Sequence, residues 1–496
     1  MIKSCLYLKK LNKKITPKLR LRMILMPTIS NQELKQAENL KNNWKLREAL
    51  KILDDFDINK DLTTNERYQF YFLKSSILFE LFSSEEAFNY AELAYKESEE
   101  LESDYDIIRA LMLKSRIMGD TVEPNEALKL VNEAEEILAR NNQNLSQEFK
   151  LMKGYISLRK GGCYFSMGKL NLCLKFFGEA SNLAKDINDK KLILQTIKSL
   201  GFTYGIKGEN DLALEYQKRY LTMAIELNDK QEVIGAHNTL GMKFTERGEF
   251  KQAIEHLEKG LSICHEIDSW KTFLVSSSLF EAYIEENSLE KAQNCHNRMK
   301  IFVKQGTYKF NEQIYRLQEA ILLKKSPNEN SHLKAEKIFK EVADKETSFV
   351  EFKFGALVNL CELYLTRLRE TSNLKEIDKL QPYIDKIRFI AENEGVYSLL
   401  AEMHSLQAKI KLVTFEFKEA QQLLTQALDV ADMYGLKLLA KRVKNEQANL
   451  SRNFLKWEKL RTAGGKIAER MDLARIDDQI QILLQKRNYL KGISSS

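Results

Sequence analysis

Proline is nearly missing from this chain, 5 residues in 496, and glycine contributes only 20. That scarcity excludes collagen-like and Pro-rich low-complexity architectures. With 44% apolar and 30% charged residues, the composition also excludes global disorder and leans towards long helices. Long apolar runs are missing too, none approaching the roughly 18 residues that a membrane-spanning helix needs. The six cysteines, Cys5, Cys163, Cys173, Cys264, Cys295 and Cys361, form no CxxC pair and no dense framework. Metal-ribbon and disulfide-scaffold readings therefore fail on spacing, and reduced thiols in a cytoplasmic protein are the expectation.

Acidic residues are absent before Glu33, while residues 1–22 carry Lys3, Lys9, Lys10, Lys13, Lys14, Lys18, Arg20 and Arg22. The formal net charge of +7 comes from this leader, since the remainder holds 69 basic against 70 acidic residues. The body thus has no excess of positive charge to neutralise phosphates, and no nucleic acid is expected to bind through it. Residues 1–30 read as a basic, disordered leader. It is either dispensable, with Met23 and Met26 just ahead of the first helical pattern, or a tail for an acidic or membrane surface, or a targeting peptide without a secretory apolar core.

Catalytic signatures are also missing: there is no HExxH, no GxSxG and no GxGxxG after a strand. Ala463-Gly464-Gly465-Lys466 fails as a phosphate loop, because Leu460 stands where the first Gly belongs and Ile467 where Ser or Thr would meet Mg²⁺. Cys264-His265 and Cys295-His296 offer two thiols and two imidazoles, but their repeat registers differ by about eight residues, so no metal is expected. Glu99-Glu100 and Glu285-Glu286 read as solvated helix faces.

What the chain does have is an internal repeat. Gly161-Gly162-Cys163-Tyr164 with Gly168, Gly201-Phe202-Thr203-Tyr204 with Gly208, and Gly241-Met242-Lys243-Phe244 with Gly248 align at a step of 40 residues. A small residue admits a neighbouring helix, an aromatic three on shares its face, and the last Gly ends the helix, so each unit predicts two helices. Ala49, Ala87 and Ala127 take the place of Ala253 upstream. Leu279, Phe280, Tyr283 and Ala292 continue downstream, followed by Ala320 with Ala335, Leu360 with Tyr364, and Ala408 with Ala420. Ser326-Pro327-Asn328 and Gln381-Pro382 predict turns. About ten helical hairpins are expected over residues 31–434.

Leu240-Gly241, Phe244, Gly248, Phe250, Ala253 and Leu257 resemble the tetratricopeptide repeat (TPR). The 40-residue step and the Asn188-Asp189 and Asn228-Asp229 turns are similar to the long-helix variant of kinesin light chains and of polarity adaptors that bind G-protein α subunits. His237 stands where the family keeps its Trp. The resemblance implies an all-α fold: an α-solenoid of antiparallel hairpins winding into a right-handed superhelix, with a C-terminal helical cap. It further implies that the first helix of each unit lines a concave wall. Carried over by position, that wall holds Arg159 and Phe165, then Gln195, Lys198 and Phe202, then Asn238, Met242 and Thr245. Such a mixture of apolar and hydrogen-bonding side chains suits a partner peptide or helix. Packing inside the array is the rival reading for Phe165, Phe202 and Met242.

The expectation is a non-enzymatic scaffold or adaptor, with no cofactor, that binds a partner protein. The alternative is a peptide-sensing TPR regulator whose ligand changes superhelix compaction. Beyond Gly435 the repeat pattern stops, and residues 435–496 form capping or interaction helices. Leu473, Ile476, Ile480, Leu483 and Leu490 keep a 3,4 spacing interrupted by Arg487. They either shield the last repeat or join two copies of the chain into a homodimer.

Overall fold

The architecture comes from a computed structural model, which describes residues 31–56, 62–81, 83–119, 124–140, 147–167, 169–207, 209–267, 269, 271–304, 309–345, 350–393 and 396–484. The basic leader, Gly168, Gly208, Arg487 and Leu490 lie outside the described residues.

Helices account for nearly all of the described chain. In order they are α1 (Gln32–Asn42), α2 (Leu46–Asp55), α3 (Thr64–Glu80), α4 (Ser84–Glu100), α5 (Asp104–Gly119) and α6 (Pro124–Arg140). Next come α7 (Gln147–Ser166), α8 (Leu170–Asp186), α9 (Lys190–Ile206), α10 (Asn210–Glu226), α11 (Lys230–Glu246), α12 (Phe250–Glu266), α13 (Thr272–Glu285) and α14 (Leu289–Lys304). The series continues with α15 (Lys309–Lys325), α16 (Glu329–Asp344), α17 (Val350–Thr371), α18 (Lys375–Asn393), α19 (Tyr397–Val413) and α20 (Phe417–Met433). It ends with α21 (Lys437–Arg452), α22 (Phe454–Thr462), α23 (Ile467–Ala474) and a helical stretch over 476–484. Helices α8 to α12 follow the 40-residue step without slippage, α9 and α11 starting at Lys190 and Lys230.

The chain forms two compact units. Among the described residues, one runs from 31 to 119 with 126–149, and the other takes 124–125 with 150–484. The first holds α1–α5 and nearly all of α6; the second holds the seven pairs from α7/α8 to α19/α20 and the C-terminal helices. The expected all-α solenoid is what the structure contains.

Each hairpin closes on small residues. Ala49, Ala87, Ala127, Ala253, Ala292, Ala335 and Ala420 are wholly buried in the second helices. Gly161 and Gly241 face Phe177 and Leu257 so closely that a Cβ would overlap either side chain. Between units Asn188 and Asn228 adopt left-handed φ values of 53°, and the next residue caps the following helix. Asp189 Oδ1 accepts from Leu192 N at 2.7 Å, and Asp229 Oδ1 accepts from Gln231 N and Glu232 N at 3.1 Å. Gly248, with φ 73°, ends α11 as its place in the repeat predicts.

One expected turn is corrected. Pro382 lies inside α18, which runs on for about three more turns to Asn393. The pyrrolidine removes one backbone donor, but Leu380, Ile384, Ile387 and Ala391 are buried along one stripe, and that burial keeps the segment helical. Pro327 does sit in a turn, between α15 and α16, with Asn328 capping α16.

Within the second unit, consecutive first helices touch, α11 with α13 and α15 with α17, and consecutive second helices do not meet to the same extent. The first helices are therefore the inner row of a curved stack. The stack returns on itself: a Cβ on Gly435, in the turn after α20, would stand 3.7 Å from Asn171 Nδ2 at the start of α8. After α20 the chain adds α21, then α22, whose Trp457 is buried against Phe415 and Phe417. Gly464, with φ 64°, turns the chain back, and α23 packs on α19 and α17.

Candidate functional site

The inner row of the second unit changes character along its length. On α9 and α11 a stripe at helical spacing stays in contact with solvent: Gln195 is exposed, and Lys198, Phe202, Asn238, Met242 and Thr245 are half-buried. Further on, α13, α17 and α19 are buried on most faces, including Ser276, Ser277 and Ser278 on α13 and Glu402, Ser405 and Lys409 on α19, whereas α15 keeps Tyr315, Arg316, Leu322 and Leu323 half-buried. The α9–α11 stretch is thus an accessible part of the inner wall.

Six of the eight residues expected from the repeat register lie on that wall. Asn238 donates through Nδ2 to Met242 Sδ at 3.7 Å, and its Oδ1 is buried without a hydrogen-bond partner. Thr245 donates to the Gly241 carbonyl at 2.9 Å. The other two lie elsewhere: Phe165 packs inside the array with Cys173, Phe177 and Leu200, and Arg159 is buried beside Gly162.

Around Lys198 the structure adds residues that the sequence reading missed. Lys198 Nζ lies 3.9 Å from the Glu232 carboxylate and 5.8 Å from the centre of the Tyr220 ring. Tyr220, 1% exposed, donates its hydroxyl to Glu232. Lys271, ahead of α13, donates to the Gln231 carbonyl at 2.8 Å. Burial works to raise the Glu232 carboxyl, but the Lys198 and Lys271 ammoniums outweigh it and hold the group below its ordinary range. Burial and the facing Glu232 push the Tyr220 phenol well up, so it remains a donor. Gly235 lies between them, and a Cβ there would come within 2.9 Å of the Tyr220 hydroxyl and 3.7 Å of Lys271 Nζ. Asp229, the cap of α11, also acts on the Tyr220 phenol, so two carboxylates accompany the two ammoniums. The signal for Lys271 was available, because the step from Gln231 is again 40 residues.

Further along, polar groups are consumed within the chain. Gln318 donates to Ser277 O at 3.2 Å and to Ser277 Oγ at 2.9 Å, tying α15 to α13. Lys324 donates to Asn359 Oδ1 at 2.6 Å and pairs with Glu362, joining α15 to α17. Cys264 and Cys295 are buried; Cys295 donates to the Ser276 carbonyl at 3.1 Å, and His296 stacks on Tyr315 at 4.0 Å. His237, buried in α11, meets His256 Nδ1 to Nδ1 at 3.0 Å, and Phe244 stacks on His256. Among the described residues no helix is long and apolar enough to cross a membrane.

No protein-family profile matches the chain, and no curated protein matches it. Solved structures do. A Rap protein complexed with competence and sporulation factor is similar at 14% identity and a TM-score of 0.51, over 73% of this chain and 98% of that one. An apo form of RapI matches at 16% identity and a TM-score of 0.47, over 73% of this chain and 98% of its own. The Rap conjugation gene regulator of plasmid pLS20, in complex with the Phr* peptide, matches at 12% and 0.46, over 73% and 95%. The first likeness establishes the shared fold, a TPR-type helical solenoid.

Proposed function

We propose that this chain is a non-enzymatic, cytoplasmic binding protein that holds an extended or helical segment of a partner against the inner wall formed by α9 and α11. The observation that carries the reading is the solvent-facing stripe Gln195, Lys198, Phe202, Asn238 and Met242 on two adjacent first helices of the inner row. Phe202 and Met242 offer apolar surface, Gln195 and Asn238 polar side chains, and the half-buried Lys198 an ammonium for a ligand carboxylate. The bound factor of the Rap protein with the matching fold supports the same use of a solenoid. The five described cysteines, all buried and none in a disulfide, support a reducing compartment.

Capture from the native cell tests it. The full chain should retain a partner that the Lys198→Ala/Asn238→Ala variant loses and that Ile225→Ser, altered on the outer helix α10, keeps. Equal retention by all three would reject the inner wall as the binding surface.

A second reading, a regulator whose ligand changes the compaction of the array, is favoured by the approach of Gly435 to Asn171. A ligand drawn into the wall between those ends would act on that closure.

A further inference from the structure

The C-terminal helices occupy a surface that in a repeat array ordinarily receives ligands. Helix α23 and the stretch 476–484 lie on first helices α17 and α19, not on the outer row. Their apolar seam is fully used there: Met471, Ile476 and Leu483 are 0% exposed and Ile480 2%. Polar anchors set the register. Lys409 Nζ donates to the Ala474 carbonyl at the end of α23 at 2.9 Å and pairs with Glu446 of α21 at 3.1 Å. Gln479 Nε2 donates to the Glu402 carbonyl at 3.1 Å and to its carboxylate at 2.9 Å, and Arg442 holds the other carboxylate oxygen. At the rim Arg369 bridges Asp472 at 2.6 Å and Asp477 at 2.7 Å, both in solvent. The segment leaves α22 through Ala463 and Gly464, which are exposed.

We propose that the inner face of α17 and α19 is an exchangeable helix-binding site, filled in the free chain by its own segment 467–484. A partner helix with the same pattern takes it in trans: apolar residues spaced like Ile476, Ile480 and Leu483, an amide at the place of Gln479, and carboxylates facing Arg369. The receptor chemistry argues for this occupant. Glu402 and Lys409 are buried side chains that bind one amide and one helix-terminal carbonyl, and Arg369 selects negative charge at the edge. Of the seam that the sequence offers for joining two copies, Ile476, Ile480 and Leu483 are already covered within the chain. This proposal does not rest on the role of the α9–α11 wall.

A labelled peptide of residues 465–484 is the probe, titrated into the full chain and into full-chain Ile480→Asp/Leu483→Asp, which undocks the resident segment while leaving the receptor surface intact. Because a tethered segment competes at high effective concentration, saturable binding is expected to the variant and much weaker binding to the unaltered chain. Adding Arg369→Glu to the variant should weaken the peptide about two- to tenfold, in line with exposed ion pairs. A peptide carrying Asp472→Arg and Asp477→Arg should recover that loss. The proposal is overturned if neither chain binds the peptide. It is equally overturned if charge reversal has no effect, or if undocking melts α17 and α19 as seen by deuterium exchange, since the segment would then be an integral part of the core.

Discussion

Gly161 and Gly241 show how little room one methyl group has in this fold. Each lies where a first helix crosses its own second helix, and a Cβ would run into Phe177 or Leu257. Gly161→Ala and Gly241→Ala should each cost about 1–3 kcal/mol, because well-packed interiors accept extra volume only by shifting. Gly178, in the middle of α8 with nothing within 4 Å of a Cβ, is the contrast: Gly178→Ala should add about 0.5–1 kcal/mol through helix propensity. Urea unfolding of the three variants checks the pair of signs. The His237–His256 contact supplies a pH dependence. Burial, then His256 and Lys259, lower His237 from 6.5 to about 4, and burial first, then Lys259, lowers His256. The fold keeps His237 neutral while the unfolded chain protonates it near 6.5, so its contribution is whole above that pH and is lost as pH falls towards 4. The melting midpoint should drop across that interval, and His237→Leu should make the drop shallower; an unchanged slope rejects the assignment.

At the scale of helices, the repeat was readable because its signals are local. A left-handed Asn followed by a capping Asp ends one unit and starts the next within two residues, and the alanines and glycines of each crossing recur at the same step. Asp229→Ala should cost about 1 kcal/mol, the value of a lost N-cap, with faster amide exchange in the first turn of α11. Equal exchange in the two proteins would show that the cap carries nothing. Pro382 was misread for a complementary reason. A missing donor is a local penalty, whereas the burial of Leu380, Ile384 and Ile387 against α17 is a tertiary gain that residue order alone does not show. Phe165 illustrates the same limit at the candidate wall: its register matches that of the half-buried Thr245 two units on, yet it is 5% exposed and packs inward.

Over the whole second unit, the approach of Gly435 to Asn171 brings the end of the array beside its start. A bulky residue there should hold the ends apart: Asn171→Tyr is expected to enlarge the radius of gyration in small-angle scattering with helix content unchanged. An unaltered radius would mean that the contact does not control the curvature. Sequence alone determined the helices, their pairing and the faces that meet, because each depends on side chains a few residues apart along one 40-residue step. Tertiary structure decided which part of the inner wall stays open. That outcome depends on where α23 folds back, on Lys409 meeting Ala474 and Gln479 meeting Glu402, pairs far apart in the chain that no local pattern brings together.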